Sequence, residues 1–227
     1  RSRIAADGDR KESEEARASG VFTSASGITM YRGDAFPEEF YGNLFVGEVA
    51  NNLAYRARLE QRGIELAAWR ADPDREFLAS RDSWFRPVQF ANGPDGALYV
   101  VDMYRQLIEG AAFVPRNALE ALDPSLGTNH GRIYRIVPQD YRRRPWPRLD
   151  KLDTHELVGL LAHPNGWHRD TAARLLSERR DAAAIDLLTE TARNSDSPQA
   201  RLLGLSALQA FDALRDDGVW RRGHQML

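Results

Sequence analysis

The chain has 227 residues, a formal net charge of −2 at pH 7 and no cysteine. This length allows one or two domains, and the near balance of charge gives no reason to expect nucleic acid or an anionic membrane as a partner. The lack of cysteine excludes disulfides, thiolate metal sites, a catalytic thiol and covalently attached c-type haem within the chain. No apolar run reaches the length of a membrane-spanning helix, and no signal peptide is visible from Arg1 onward.

The N-terminal third changes from charged to strand-like sequence. Residues 1–20 are charged and small, with almost no apolar side chains, which predicts a disordered or linker segment. Apolar residues at 28–31 and again over 41–48 predict strands, separated by the turn-rich stretch 32–37. The alternation of apolar and polar residues over 53–69, interrupted by a glycine turn, predicts a further hairpin.

Residues 85–101 predict two strands around one tight turn. Pro94 presets φ near −65° and Gly96 tolerates a positive φ, so the chain reverses between them. The apolar run that follows the turn, 98–101, is typical of a strand buried on both faces. Because a hairpin brings its two outer ends together, we expect Arg86 and Asp102 to lie at the same rim.

A repeat connects two of these strands. Residues 42–48 and 96–102 share a glycine, a leucine, an aromatic residue, a valine and an acid in register, 54 positions apart. That spacing approaches the roughly 40–50 residues of a β-propeller blade, and the alternation over 131–137 supplies one more strand. We therefore predict about two C-terminal blades of a β-propeller, mostly antiparallel β, over 21–140.

The last third of the sequence is helical. Residues 141–152 contain two prolines and four arginines, which predicts an extended linker. Helical periodicity then predicts four helices, the second and third starting near Asp170 and Ala182, and the fourth capped by Ser197 with Pro198 at its first position. The predicted interior of this fourth helix includes Leu202.

A second repeat appears in this helical part. Arg169 and Arg201 begin similar stretches, RDTAARLL and RLLGLSAL, 32 residues apart. This indicates a HEAT-like helical solenoid over 153–227. A propeller needs about four blades and a solenoid about three repeats, so we expect both domains to be parts of larger ones.

The sequence resembles the planctomycete-type membrane-bound dehydrogenase-like proteins over roughly 20–211, in the stretches SGITMYRGDAFP, YGNLFVGEVANN, EFLASRDSWFRPV, GPDGALYVVDMYRQLIE and HGRIYRI. Such proteins combine a glucose/sorbosone-dehydrogenase-like β-propeller, HEAT repeats and a haem-binding CxxCH cytochrome c domain, which this chain lacks. The resemblance implies an extracytoplasmic location, periplasmic or at the cell surface. It also implies a quinone-dependent sugar or alcohol dehydrogenase that passes electrons to a c-type cytochrome.

The same resemblance implies pyrroloquinoline quinone and calcium as cofactors. In the related sugar dehydrogenases an arginine shortly before the GPDG turn contacts the quinone, and Arg86 stands at that place, although Pro87 replaces the usual acid after it. A planar guanidinium suits the carboxylates of such a cofactor. The alternative is a structural salt bridge from Arg86 to Asp102 or Glu109. Two further residues, Tyr104 and Arg105, follow the repeat strand and complete the predicted cofactor-binding set.

Polar residues at the same strand ends form the predicted substrate site. Hydroxyl groups of a substrate, or a hard cation, would find oxygen ligands at Asp102 and Glu109, and Glu48 and Asn51 would lie on the same rim and contact the substrate. The alternative is that these side chains cap the blades and serve turns, as the neighbouring asparagine Asn52 also suggests.

A histidine provides the predicted catalytic base. His130 precedes the last strand, and an imidazole there would accept the proton of a substrate alcohol during hydride transfer. By contrast, His163 and His168 lie five residues apart, off the spacing of a helical metal pair, so we expect core or surface roles for them. From a different class, the alternative function is a non-catalytic propeller and HEAT module that binds a glycan or a protein partner.

Overall fold

The computed structural model describes residues 24–108, 123, 125–143 and 145–213. It divides into two compact units. The described part of the first, the sheet unit, lies within 24–31, 36–92 and 97–139, and that of the second, the helical unit, within 32–35, 93–96 and 140–213. Two loops from the first half of the sequence therefore belong to the helical unit. The predicted disordered segment 1–20 lies outside the described residues.

Eight strands in two antiparallel sheets form the described part of the sheet unit. The first sheet has the order β1 (Ala25–Met30), β2 (Leu44–Glu48), β3 (Leu53–Arg62) and β4 (Glu65–Arg70), and the short β5 (Leu78–Ala79) pairs with the other end of β3. The second sheet has the order β6 (Pro87–Asn92), β7 (Leu98–Asp102) and β8 (Arg132–Ile136). A single turn of 3-10 helix, Glu38–Phe40, precedes β2. The prediction of mostly antiparallel β structure in this half is confirmed.

The 54-residue sequence repeat corresponds to a structural repeat. Its two copies form β2 and β7, and each strand lies between two antiparallel neighbours. The matching glycines, Gly42 and Gly96, have φ of 77° and 79°, a region that glycine enters at little cost. Each copy ends in a buried acid, Glu48 or Asp102. The run 98–101 is not buried on both faces, because Tyr99 and Val101 are only half-buried.

The two sheets contact each other through main-chain atoms and an aromatic core. A Cβ built at Gly47 in β2 would lie 2.1 Å from the carbonyl oxygen of Pro87 in β6, so only glycine fits there. The Ser26 and Thr29 hydroxyls of β1 donate to carbonyl oxygens of β6 at 3.0–3.3 Å. The core beneath is mainly aromatic and aliphatic, with Tyr31, Phe45, Ala54, Phe85, Phe90, Leu98 and Val100 buried together.

The helical unit contains four described α-helices, which confirms the predicted helical character of this part. They are α1 (Thr154–Gly159), α2 (Gly166–Arg179), α3 (Ala184–Asn194) and α4 (Pro198–Ala210), and a 3-10 turn, Leu160–Ala162, continues α1. The second helix begins four residues before the predicted Asp170, because the Asn165 side chain caps it by accepting from Trp167 N. Within the predicted linker, Leu149–Lys151 forms a 3-10 turn.

The 32-residue repeat extends beyond the sequence match to the helix starts. The caps Asn165 and Ser197 are equivalent by this offset, and each side chain accepts from a main-chain amide in the first turn. Arg169 and Arg201 each donate through Nη1 to the carbonyl oxygen six residues earlier. Each copy of the repeat therefore contains a helix, its cap and an equivalent arginine contact, and the match is more than a chance similarity of apolar residues.

An apolar core joins the four helices. Its fully buried leucines are Leu157, Leu161, Leu176, Leu188 and Leu208. The predicted interior residue Leu202 is 68% exposed, because α4 turns this side chain away from the face that carries Ala200, Gly204 and Leu208. No described helix combines the length and the apolar character needed to cross a membrane.

Candidate functional site

The structure brings Arg86 and the end of β7 together at one rim of the sheet unit. Pro87 pairs with Asp102 in the β6–β7 ladder, and the Arg86 amide donates to Asp102 Oδ1 at 2.8 Å. Two further main-chain bonds continue the pairing past the strands, from Met103 N to Arg86 O at 3.0 Å and from Arg105 N to Trp84 O at 3.1 Å. This is the geometry that the hairpin sequence predicts.

The Arg86 guanidinium is buried and bonded to the main chain. It donates to the carbonyl oxygens of Val49 at 2.6 Å, Arg105 at 3.0 Å and Gln106 at 2.6 Å, and the residue is 6% exposed. These bonds use three of the five N–H groups of an arginine. Because Val49 directly follows β2, Arg86 ties the ends of both repeat strands into one rim. Contact between Arg86 and a quinone stays a prediction.

Asp102 holds the rim turn with one oxygen and leaves the other without a partner. Oδ1 accepts from the amides of Arg86 and Tyr104, each at 2.8 Å. The residue is 1% exposed, and Oδ2 is buried with no hydrogen-bond partner among the described residues. A buried unpaired acceptor costs roughly 1–3 kcal/mol. The site therefore presents an acceptor that a hydroxyl or amine donor would satisfy.

Tyr104 stands beside this carboxylate in an unusual backbone conformation. Its φ is 49°, a left-handed value that is rare for a bulky residue and that the Asp102 Oδ1 bond to its amide supports. Its ring lies 3.5 Å from the Arg132 guanidinium carbon, and the ring centroids of Tyr104 and Trp84 are 5.6 Å apart. The hydrogen bond to the Asp82 carboxylate raises the pKa of the Tyr104 phenol above its usual value of 10.

Two rim residues come from the segment before and within β8. His130 is exposed, and its ring centroid lies 6.5 Å from that of Tyr104. Arg132 is paired directly with Asp102 in the β7–β8 ladder. The sequence predicted a role for His130 but not for Arg132. The alternating residues 131–137 form a strand, and pairing this strand antiparallel to β7 would have placed Arg132 opposite Asp102.

The other predicted substrate residues have mainly structural contacts. Glu48 is fully buried, and both of its carboxylate oxygens lie within 3.1 Å of Ser24 N. Asn52 adopts a φ of 55° and donates to the carbonyl oxygens of Ser83 at 3.1 Å and Phe85 at 2.6 Å. Asn51 is half-buried beside it.

Glu109 lies outside the described residues, so its predicted roles as a substrate ligand and as a salt-bridge partner of Arg86 stay predictions. The Arg105 side chain is half-buried at the rim.

The described rim lacks the groups that the implied cofactors require. Carboxylates of a quinone need cationic donors that point outward, whereas Arg86 is buried with most of its donors on carbonyls. Calcium needs several oxygen ligands, and the described residues contain no group of three or more His, Asp or Glu side chains that could hold a metal ion. The described rim by itself therefore does not fit either group.

These features define a chain with a two-sheet antiparallel unit whose strand ends converge on a buried carboxylate, joined in sequence to a unit of capped helical repeats. The chain belongs to a family described as a domain of unknown function, DUF7133, whose model matches residues 3–140. No curated protein and no solved structure matches the chain.

Proposed function

We propose that the rim of the sheet unit binds a small polyhydroxylated ligand, a sugar or a sugar-like alcohol. One observation carries this proposal: Asp102 Oδ2 is buried at the rim and has no hydrogen-bond partner among the described residues. A ligand hydroxyl would donate to this oxygen and end the cost of an unpaired buried acceptor.

The surroundings of Asp102 support a hydroxyl-bearing ligand. Trp84 and Tyr104 provide aromatic rings at 5.6 Å from each other, and the C–H faces of sugar rings pack on such apolar surfaces. Arg132 and the Asp82–Tyr104 pair supply further donors and acceptors. This combination of one buried acceptor, aromatic rings and a mixed polar edge suits a neutral ligand with several hydroxyl groups.

A binding experiment tests this proposal directly. Saturation-transfer NMR with glucose, sorbose and glycerol on the intact chain would detect binding, and Asp102→Asn should weaken it at least tenfold, because the amide replaces the Oδ2 acceptor by a donor of equal size. Glu65→Gln, an exposed strand position, is the matched control and should bind like the unmodified chain. Unchanged binding by the Asp102→Asn chain, with its fold verified by circular dichroism, would refute the site.

We further propose, from the family resemblance, that the intact protein is a quinone-dependent dehydrogenase. It would oxidise this ligand and pass the electrons to a c-type cytochrome. In this proposal the two sheets are blades of a β-propeller and the helices belong to a HEAT-like solenoid. The support is that both copies of the 54-residue repeat are central strands of antiparallel sheets, and that two helix caps, Asn165 and Ser197, lie 32 residues apart. His130, exposed beside Tyr104, is the proposed proton acceptor.

The second candidate is a non-catalytic module that binds a glycan through the same rim. The engagement of Arg86 with three carbonyl oxygens favours it, since this arginine then builds the rim rather than holding a cofactor. Dye reduction by the intact protein, supplied with pyrroloquinoline quinone, calcium and the sugar that binds, separates the two candidates. Reduction that His130→Gln lowers would support the dehydrogenase. Sugar binding without any reduction would support the glycan-binding module.

A further inference from the structure

The third strands of the two sheets, β3 and β8, carry a tyrosine followed by an arginine at equivalent positions. Each of these two dipeptides lies opposite the same two positions of the 54-residue repeat. The ladder partners are Tyr55 with Val46, Arg56 with Phe45, Tyr134 with Val100 and Arg135 with Tyr99. The structural repeat therefore extends from β2 and β7 to the strand that follows each of them.

In the first sheet, β4 and the residues directly after it cover the tyrosine and the arginine. The Arg70 guanidinium carbon lies 5.2 Å from the Tyr55 ring centroid. The Asp72 carboxylate accepts from Arg56 Nε and Nη2, each at 2.9 Å, and Ala71 N donates to the Arg56 carbonyl oxygen at 2.9 Å. Arg56 is consequently only 6% exposed. An arginine followed two residues later by an aspartate is thus the arrangement that covers this dipeptide.

The equivalent dipeptide in the second sheet is exposed. Within the described part of the chain, this sheet ends at β8, which has β7 as its strand neighbour. Tyr134 is 36% exposed and Ile133 is 67% exposed, and Arg135 is exposed as well. A strand that is paired on one side leaves alternate main-chain N–H and C=O groups on its other edge. The outer edge of β8 therefore corresponds to the edge of β3 that β4 occupies.

We propose that the outer edge of β8 binds an extended segment of a partner chain that carries an arginine and, two residues later, an aspartate. The segment pairs antiparallel to β8, and its main-chain hydrogen bonds supply the affinity. Its arginine lies over the Tyr134 ring, and its aspartate accepts from Arg135, as Arg70 and Asp72 do on β3. Arg135 also has contacts within the chain, and a guanidinium with five N–H donors can bond a carboxylate in addition to another acceptor.

The charge of β8 argues against a second copy of this chain as the occupant. Residues 132–136 contain two arginines and no acid, so the pairing of two β8 strands would bring the arginines of both copies onto one ladder without a carboxylate. The β4 strand of a second copy does not suit the edge either, because its Arg70 and Asp72 already contact their own β3. A partner strand that brings its own aspartate is therefore favoured.

A peptide with the sequence of this chain's own fourth strand, ELAAWRAD from residues 65–72, is the probe. Fluorescence anisotropy of the labelled peptide, titrated with the intact chain, should show saturable binding. Replacement of its aspartate by asparagine, or of its arginine by glutamine, should each weaken binding about two- to fivefold, the usual size of an exposed ion pair or cation–π contact. No saturable binding, or equal binding of the three peptides, would overturn the proposal.

Variants of the chain assign each contact. In Arg135→Gln, replacement of the peptide aspartate should no longer matter, and in Tyr134→Leu, replacement of the peptide arginine should no longer matter. Arg62→Gln, at an exposed arginine of β3, is the matched control and should keep the full response to both replacements. Undiminished sensitivity to the aspartate in Arg135→Gln would contradict the assignment. If a β8 variant does not fold, the comparison of the three peptides on the unmodified chain decides by itself.

The main-chain pairing has a test of its own. Two peptides N-methylated on alternate residues present opposite edges to β8, so one should bind like the unmodified peptide and the other should not bind. Equal binding of both would overturn strand pairing. Sedimentation that shows a dimer of the chain, lost in Ile133→Lys, together with no peptide binding, would make a second copy the occupant and also overturn the proposal.

Discussion

Each of the two units of this protein is stabilised internally by its own kind of contact. In the sheet unit, the hydroxyls of Ser26 and Thr29 donate hydrogen bonds to carbonyl oxygens of β6, which lies about 60 positions later in the sequence. In the helical unit, caps and arginine contacts span two to six residues, and leucines fill the core. The contact between the two sheets therefore requires a residue without a side chain at Gly47, whereas the core of the four helices is filled by leucines.

The same substitution of glycine by alanine should have opposite effects in the two units. Gly47→Ala would place a Cβ 2.1 Å from the Pro87 carbonyl oxygen and should destabilise the sheet unit by more than about 4 kcal/mol, because a main-chain atom cannot move aside cheaply. Gly159→Ala meets nothing within 4 Å at the end of α1 and should stabilise by roughly 0.5–1 kcal/mol. Hydrogen exchange read separately on β2 and α1 would measure both. A tolerated Gly47→Ala would contradict the close sheet contact.

Removal of the Arg86 guanidinium should have the next largest effect. Arg86→Met leaves the carbonyl oxygens of Val49, Arg105 and Gln106 without their donors and should cost about 4 kcal/mol, since bonds to a charged group contribute roughly 1.5–3 kcal/mol each. The control is Arg174→Ala, an exposed pair with Glu178, where less than about 0.5 kcal/mol is expected. Urea denaturation of both variants gives the comparison. Equal midpoints would show that Arg86 does not hold the rim.

Two leucines of the helical unit allow the same substitution to be compared at a buried and at an exposed position. Leu188→Ala, at a fully buried position, should lower the free energy of unfolding by about 3 kcal/mol, within the usual range for such cavities. Leu202→Ala, at a position 68% exposed, should change it by less than about 0.5 kcal/mol. The same periodicity predicts that both leucines lie in helices. Thermal unfolding of the two variants would measure the difference in stability. Similar losses would mean that α4 packs with a different face.

The helical unit should lose stability in acid through His163. Burial, followed by the proximity of His168, lowers the pKa of this group in the folded state, so between that lowered value and about 6.5 the unfolded chain binds more protons. The free energy of unfolding should therefore fall as pH falls through 6.5 and level off below the folded-state pKa. His163→Gln should flatten this part of the profile. A slope that persists unchanged in His163→Gln would assign the effect to other groups.

The smallest expected effect is a change in the pKa of one side chain at the rim, the Tyr104 phenol. The hydrogen bond to Asp82 raises the pKa of Tyr104, and Asp82→Asn should return it toward 10. A 13C-tyrosine NMR titration would follow the phenol, with Tyr104→Phe to assign its resonance. The same titration curve in both the unmodified and the Asp82→Asn chain would show that the bond is absent.

Local chemistry explains which parts of the fold the sequence predicts. The turn through Pro94 and Gly96, the repeat strands and the cap at Ser197 all follow from residues within a few positions of each other, and all are present. The predicted start of α2, near Asp170, is four residues too late, because the prediction does not use the cap at Asn165, although an asparagine cap is itself a local signal.

Contacts across the chain explain what the sequence leaves open. The hairpin predicted that Arg86 and Asp102 share a rim, but not that the guanidinium would be bonded to Val49, 37 residues away. The spacing of His163 and His168 argued against a helical metal pair and in favour of core or surface roles, but it did not predict that the loop before α2 brings their rings to 4.5 Å. Spacing rules for a single helix do not apply to a residue that lies before the helix begins.

By itself, the sequence determined the strands, the helices, the two repeats and the shared rim of the β6–β7 hairpin, because each depends on periodicity, turns or caps within short stretches. Only the tertiary structure decided that Arg86 faces carbonyl oxygens, that one buried polar atom of Asp102 and one of His168 have no hydrogen-bond partner in the described part of the chain, and that loops 32–35 and 93–96 join the helices. The physical reason is that burial and hydrogen-bond pairing depend on which distant segments meet, and no local pattern encodes those meetings.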